Sequence, residues 1–181
     1  ASWNVYSVVG TGAKGLFLNE NAGLDSDTSY FNSGTSSTTT FPVGTANTAN
    51  GDGDEMIAYC FANVKGYSKT GSYEGNGNAD GPFVYTGFKP AWLMTKSIDT
   101  TSNWNIFDNK RSPFNDRDDY IKANAGAAED TGSSDIQMDF TSQGFKIRGN
   151  NDEANGSETF IYMAFAERPF VSSSGVPTTA G

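Results

Sequence analysis

An all-β chain, folded as an antiparallel β-sandwich of the jelly-roll or concanavalin-like kind, is what three features of these 181 residues predict. Turn-forming residues dominate, with 21 Gly, 17 Asn, 19 Ser and 18 Thr against four leucines, so no long leucine-rich amphipathic run exists for a helical bundle. Short apolar and β-branched runs bounded by Gly, Asn, Asp and Ser recur along the chain, which is how strands between polar turns read. The chain also repeats itself at a spacing of roughly 100 residues.

The predicted strands follow in order. Residues 3–9 carry Trp3, Val5 and Tyr6; 15–19 hold Leu16, Phe17 and Leu18; 28–32 centre on Tyr30 and Phe31; 38–43 end a Thr run with Phe41 and Val43. Residues 55–63 are nearly continuous in hydrophobicity, as is 158–166, the pattern of a central strand covered on both faces. Between them come 82–87, 91–97, 103–108 and 119–123, each with aromatic or β-branched residues between turn formers. In 135–140, Ile136, Met138 and Phe140 alternate with Asp135, Gln137 and Asp139, and 143–148 brings Phe145 and Ile147. An Ala-rich turn at 123–129 is the one helical exception the sequence suggests, and residues 171–181, with Ser, Gly, Pro and Thr, read as a flexible tail or linker.

The repeat organises these strands. Trp3-Asn4-Val5-Tyr6 returns as Trp104-Asn105-Ile106-Phe107, Asn21-Ala22 as Asn124-Ala125, Phe41-Pro42-Val43 as Phe145-Lys146-Ile147, and Asn50-Gly51 as Asn155-Gly156. The run from Met56 to Ala62 returns at Phe160 to Ala166 with an offset of 104. Residues 1–66 therefore read as the C-terminal part of a first unit, and 67–170 as a complete second one. Nothing before Trp3 corresponds to the stretch from Gly71 to Met94, so the first copy reads as incomplete, with roughly thirty residues of it expected upstream or another segment expected in their place.

Composition excludes several chemistries. The chain has no histidine, which removes Ser-His-Asp and Cys-His catalysis and His-bearing metal sites, and the single Cys60 admits no intrachain disulfide. A net charge of −9 opposes nucleic-acid binding, which rests on clustered Lys and Arg. No apolar run approaches the ~20 residues of a membrane-spanning helix, so no membrane insertion is expected. No acids alternate along the best strands to form the carboxylate pair of a glycosidase, and neither Gly10-Thr11-Gly12 nor Gly75-Asn76-Gly77 forms a phosphate-binding motif, so no enzyme activity is expected.

Two sets of residues remain as binding candidates. Asp52, Asp54 and Glu55 are spaced like the start of a calcium loop, although Asn63 stands where a closing glutamate would be required and a solvated turn competes as an explanation. Trp92, Trp104, Tyr73 and Tyr120 are candidate sugar-stacking aromatics, with a core-anchor role competing for the repeated Trp3 and Trp104.

The run from Met56 to Ala62, then residues 66–77, then 80–92, with the closing 162–170, resembles a domain common in large structural proteins of marine tailed bacteriophages. There it stands towards the C-terminal end of a longer polypeptide, often beside lectin-like or SPRY-like sandwich modules. The resemblance implies a virion protein of a tail fibre or another surface appendage, assembled with other virion chains as a homo-oligomer and in contact with host surface glycans. It supplies no catalytic residue. A carbohydrate-binding module of a secreted bacterial protein is the alternative from a different class.

Overall fold

The strands in chain order are β1 (Asn4–Val5), β2 (Leu16–Phe17), β3 (Ser68–Glu74), β4 (Phe83–Tyr85), β5 (Pro90–Ser97), β6 (Asn105–Asp108), β7 (Ile121–Lys122), β8 (Met138–Thr141), β9 (Gly144–Ile147) and β10 (Thr159–Ala166). Single helical turns α1 (Asn47–Asn50) and α2 (Asp152–Asn155) accompany them. This computed structural model describes residues 2–9, 14–32 and 36–168, so the tail expected at 171–181 lies outside the described residues. Every strand pairing is antiparallel, in a five-stranded sheet ordered β3-β10-β5-β6-β7, a three-stranded sheet ordered β4-β9-β8, and a β1-β2 ribbon.

The period of two along β10 builds the sandwich, since its alternate side chains enter two different apolar layers. Phe160, Tyr162 and Ala164 meet Val84, Met138, Phe140, Phe145 and Ile147 of the three-stranded sheet in the main core. On the opposite face, Ile161 joins Ile98 and Trp104 beneath Leu16 of the ribbon, with Val5, Leu18 and Leu24 packed around them. Each fully buried side chain of this size stabilises the fold by roughly 1.5–3 kcal/mol. The fold is thus an all-β sandwich with an additional ribbon on the outer face of its larger sheet.

The structure departs from the sequence reading in four places. Residues 28–32 and 38–43 form no strands, because side chains take the backbone donors that a ladder would use. Asp27 Oδ1 accepts from the Ser29 amide at 2.8 Å, and the Ser37 hydroxyl accepts from the Thr39 and Thr40 amides. Residues 55–63 are not assigned to a sheet and are exposed almost throughout. Strand β3 has no apolar alternation in Ser-Lys-Thr-Gly-Ser-Tyr-Glu, and its order comes from seven residues paired with β10. Gly71 of β3 faces Tyr162, whose ring would stand 2.8 Å from a Cβ at that position. No helix forms at 123–129; the helical turns are α1 and α2, the latter capped by Asn151, whose Oδ1 accepts from the Glu153 amide at 2.9 Å.

The early and late parts of the chain also share local geometry. In β1-β2, Asn4 lies opposite Phe17 and Val5 opposite Leu16; in β6-β7, Asn105 lies opposite Lys122 and Ile106 opposite Ile121. The Trp3 amide donates to Asn19 Oδ1 at 2.8 Å, and the Trp104 amide donates to Asn124 Oδ1 at 2.8 Å. Asn50 Nδ2 donates to the Gly44 carbonyl at 3.0 Å, and Asn155 Nδ2 to the Gly149 carbonyl at 2.8 Å. By this geometry the counterpart of Asn124 is Asn19, not Asn21.

Candidate functional site

Three of the four candidate stacking aromatics are core residues. Trp104 lies under the ribbon, where its Nε1 donates to the Phe17 carbonyl at 2.8 Å. Tyr73 stacks on Phe160 with ring centroids 5.0 Å apart, and its hydroxyl donates to the Ala154 carbonyl at 2.8 Å. Tyr120 packs against Phe107, and burial pushes its phenol up to about 12. None of these rings has a free face for a sugar, which corrects their reading as ligand contacts. Trp92 is half-buried and packs on Phe165 at 5.6 Å. Trp3 departs from the core role expected of both repeated tryptophans: it is 56% exposed and stacks only loosely on Tyr59, at 6.2 Å.

Asp52, Asp54 and Glu55 are exposed beyond α1, where Gly53 takes a left-handed φ of 75°. They are not brought together: among the described residues no group of three or more His, Cys, Asp or Glu side chains is placed to hold a metal ion. The expected calcium loop has the geometry of a solvated turn.

The surface with the strongest chemical character is the outer face of the three-stranded sheet. Val84, Phe145 and Phe140 form the inward row, so their neighbours Phe83, Lys146 and Asp139 form one outward row, and Tyr85, Gly144 and Thr141 the next. Phe83 and Tyr85 are 51% and 59% exposed, unusual for rings two positions apart on a short strand. Lys69 reaches over from β3, its Nζ 5.3 Å from the Tyr85 ring centre and donating to the Tyr85 carbonyl at 2.9 Å. Lys146 Nζ bridges the Asp80 carboxylate and the Gly81 carbonyl, both at 2.7 Å. That contact holds the Asp80 carboxyl below its ordinary value.

In the same outward row as Phe83 and Lys146, Asp139 is only 9% exposed. Arg148 Nε donates to Asp139 Oδ2 at 2.6 Å, and Asp116 lies near the same carboxylate. Burial, with the Asp139 carboxylate beside it, pushes the Asp116 carboxyl up.

Sequence reasoning passed over Phe83 and did not retain Tyr85 as a site residue, although the order Phe-Val-Tyr with a buried Val84 is the alternation that sets two rings on one face. A separate open depression of about 630 Å³ lies between Glu20, Leu24, Asp25, Asp99 and Thr100 and gathers no comparable aromatic surface. No curated protein and no solved structure matches the chain. Residues 1–169 match the family described as a domain of unknown function (DUF7483), and the chain belongs to that family.

Proposed function

We propose that the chain is a non-catalytic structural and adhesion module that presents the outer face of the β4-β9-β8 sheet to a surface glycan. Its setting is a bacteriophage virion, in a tail fibre or another surface appendage among other copies and other virion chains, as the resemblance to phage structural proteins implies. The observation that carries the reading is the pair of exposed rings, Phe83 and Tyr85, beside Lys146, Asp80, Asp139 and Arg148. Ring faces stack on the C–H surface of a sugar, and fixed charged groups pair with its hydroxyls. A sheet holds such groups in place before the ligand arrives, which lowers the ordering cost of binding.

The test is a glycan array of bacterial surface polysaccharides probed with the labelled chain and with the F83A/Y85A double variant. The wild type is expected to bind a subset of polysaccharides and the variant to bind them about tenfold more weakly or worse, with an unchanged melting temperature. Binding that survives the double substitution would move the contact elsewhere, and a blank array would leave only the structural role. The same face would serve a secreted carbohydrate-binding module; decoration of phage particles by an antibody against this chain separates the two settings.

A further inference from the structure

Residues 56–62, Met-Ile-Ala-Tyr-Cys-Phe-Ala, carry no charge and have no sheet partner among the described residues. Met56, Ile57, Tyr59 and Phe61 are 49%, 81%, 68% and 58% exposed. At an offset of 104 Met56 and Ile57 correspond to the buried Phe160 and Ile161 of β10, Ala58 and Cys60 to the buried Tyr162 and Ala164, and Tyr59 and Phe61 to the partly buried Met163 and Phe165. An exposed apolar segment of this length is a liability that folded proteins normally cover.

A second gap faces the same missing neighbour. Among the described residues strand β1 pairs with β2 alone, whereas its counterpart β6 pairs with β7 on one edge and β5 on the other. Strand β10 is likewise flanked by β3 and β5. The open edge of β1 and the unpaired 56–62 therefore both lack a strand of the β5 kind, and 56–62 lacks one of the β3 kind as well. A second copy of this chain cannot lend β5 without dismantling its own sheet, because that strand is bonded along both edges. In the complete unit, β3, β4 and β5 come before β6 in the chain, so tandem order puts the donors ahead of β1.

We propose that residues 56–62 are the central strand of a first sandwich unit, completed by a segment of the same polypeptide ahead of Ala1 that carries the sequence pattern of β3 to β5. That segment inserts its β5-like strand between β1 and 56–62 and its β3-like strand along the far edge. By correspondence with β10, Met56, Ala58 and Cys60 turn into the core of the completed unit, and Ile57, Tyr59 and Phe61 take the other face. Cys60 then passes from its exposed position to that of Ala164, which is fully buried.

The test joins a second copy of residues 67–102 ahead of Ala1 in the 181-residue chain, with a scrambled version of the same graft as control. Cys60 modification by a thiol reagent is expected to slow by roughly a hundredfold with the true graft and to stay unchanged with the scrambled one, while amides of 56–62 gain protection from hydrogen exchange. Unchanged exchange of the β10 amides shows that the second unit has kept its fold. Equal Cys60 reactivity in both grafts would overturn the proposal. So would a concentration-dependent dimer of the ungrafted chain in which Cys60 is already protected, since that assigns the strand to a second copy. The encoding gene supplies an independent check: an upstream sequence without the β3-to-β5 pattern rules the segment out.

Discussion

Lys96 of β5 is fully buried, with Nζ donating to the Ser97 carbonyl at 2.6 Å. Burial pushes its ammonium down to about 8, against the opposing pull of Glu158 and Glu153. Below that pH the lysine is charged in both folded and unfolded chains; between about 8 and its ordinary value of 10.5 only the unfolded chain holds the proton, so stability rises with pH across this window. In urea titrations K96M is expected to be the more stable protein at pH 7, by up to about 3 kcal/mol, and to lose that advantage by pH 10.5. A wild type that instead loses stability relative to K96M over this window would show the glutamate attraction outweighing desolvation. The acids near α1 lead to a different expectation. Because Asp52, Asp54 and Glu55 stay apart in solvent, neither calcium nor EDTA should move the melting temperature, and a calcium-dependent rise would mean that the turn closes on the ion.

Turns and strands are fixed in part by glycines that leave no room for a side chain. A Cβ on Gly149 would lie 1.8 Å from the Asp135 carbonyl oxygen, and one on the equivalent Gly44 would lie 1.7 Å from the Ser29 carbonyl oxygen. Gly126 has no heavy atom within 4 Å of that position and no left-handed φ. G149A is therefore expected to cost about 1–3 kcal/mol, and G126A to be neutral or to stabilise by a few tenths, in paired thermal melts. The legibility of the elements follows the same division between local and distant causes. Strands β5, β8, β9 and β10 could be read because their apolar residues alternate or run continuously against a core. Strand β3 could not, since Ser68 to Glu74 acquire their order from β10 more than eighty residues away. The reading of 28–32 and 38–43 failed for the opposite reason: local Asp and Ser side chains took up the backbone donors. At the candidate site, the value of Phe83 and Tyr85 depends on which sheet face is covered, whereas Tyr73, Trp104 and Tyr120 were attractive only until packing enclosed them.

At the scale of the molecule, the two parts of the repeat do not stand side by side as independent domains. Leu16, Leu18 and Leu24 from the early part cover Ile98, Trp104 and Ile161 of the later one, and the Trp104 indole donates to the Phe17 carbonyl. The outer face of the five-stranded sheet is thus kept from water by residues that lie about seventy positions or more before it in the chain. L16A removes a fully buried side chain from this layer. A cavity there is expected to cost about 2–5 kcal/mol. If the parts unfold as one cooperative system, the loss appears throughout: the urea midpoint followed by tryptophan emission falls, and amides in β5 and β10 exchange faster by a comparable free energy. If the early part merely rests on a self-sufficient sandwich, L16A loosens the ribbon while β10, bonded along both edges, keeps its full protection. The burial of Trp104 at 2% exposure favours the first outcome, because the indole faces the ribbon that L16A weakens.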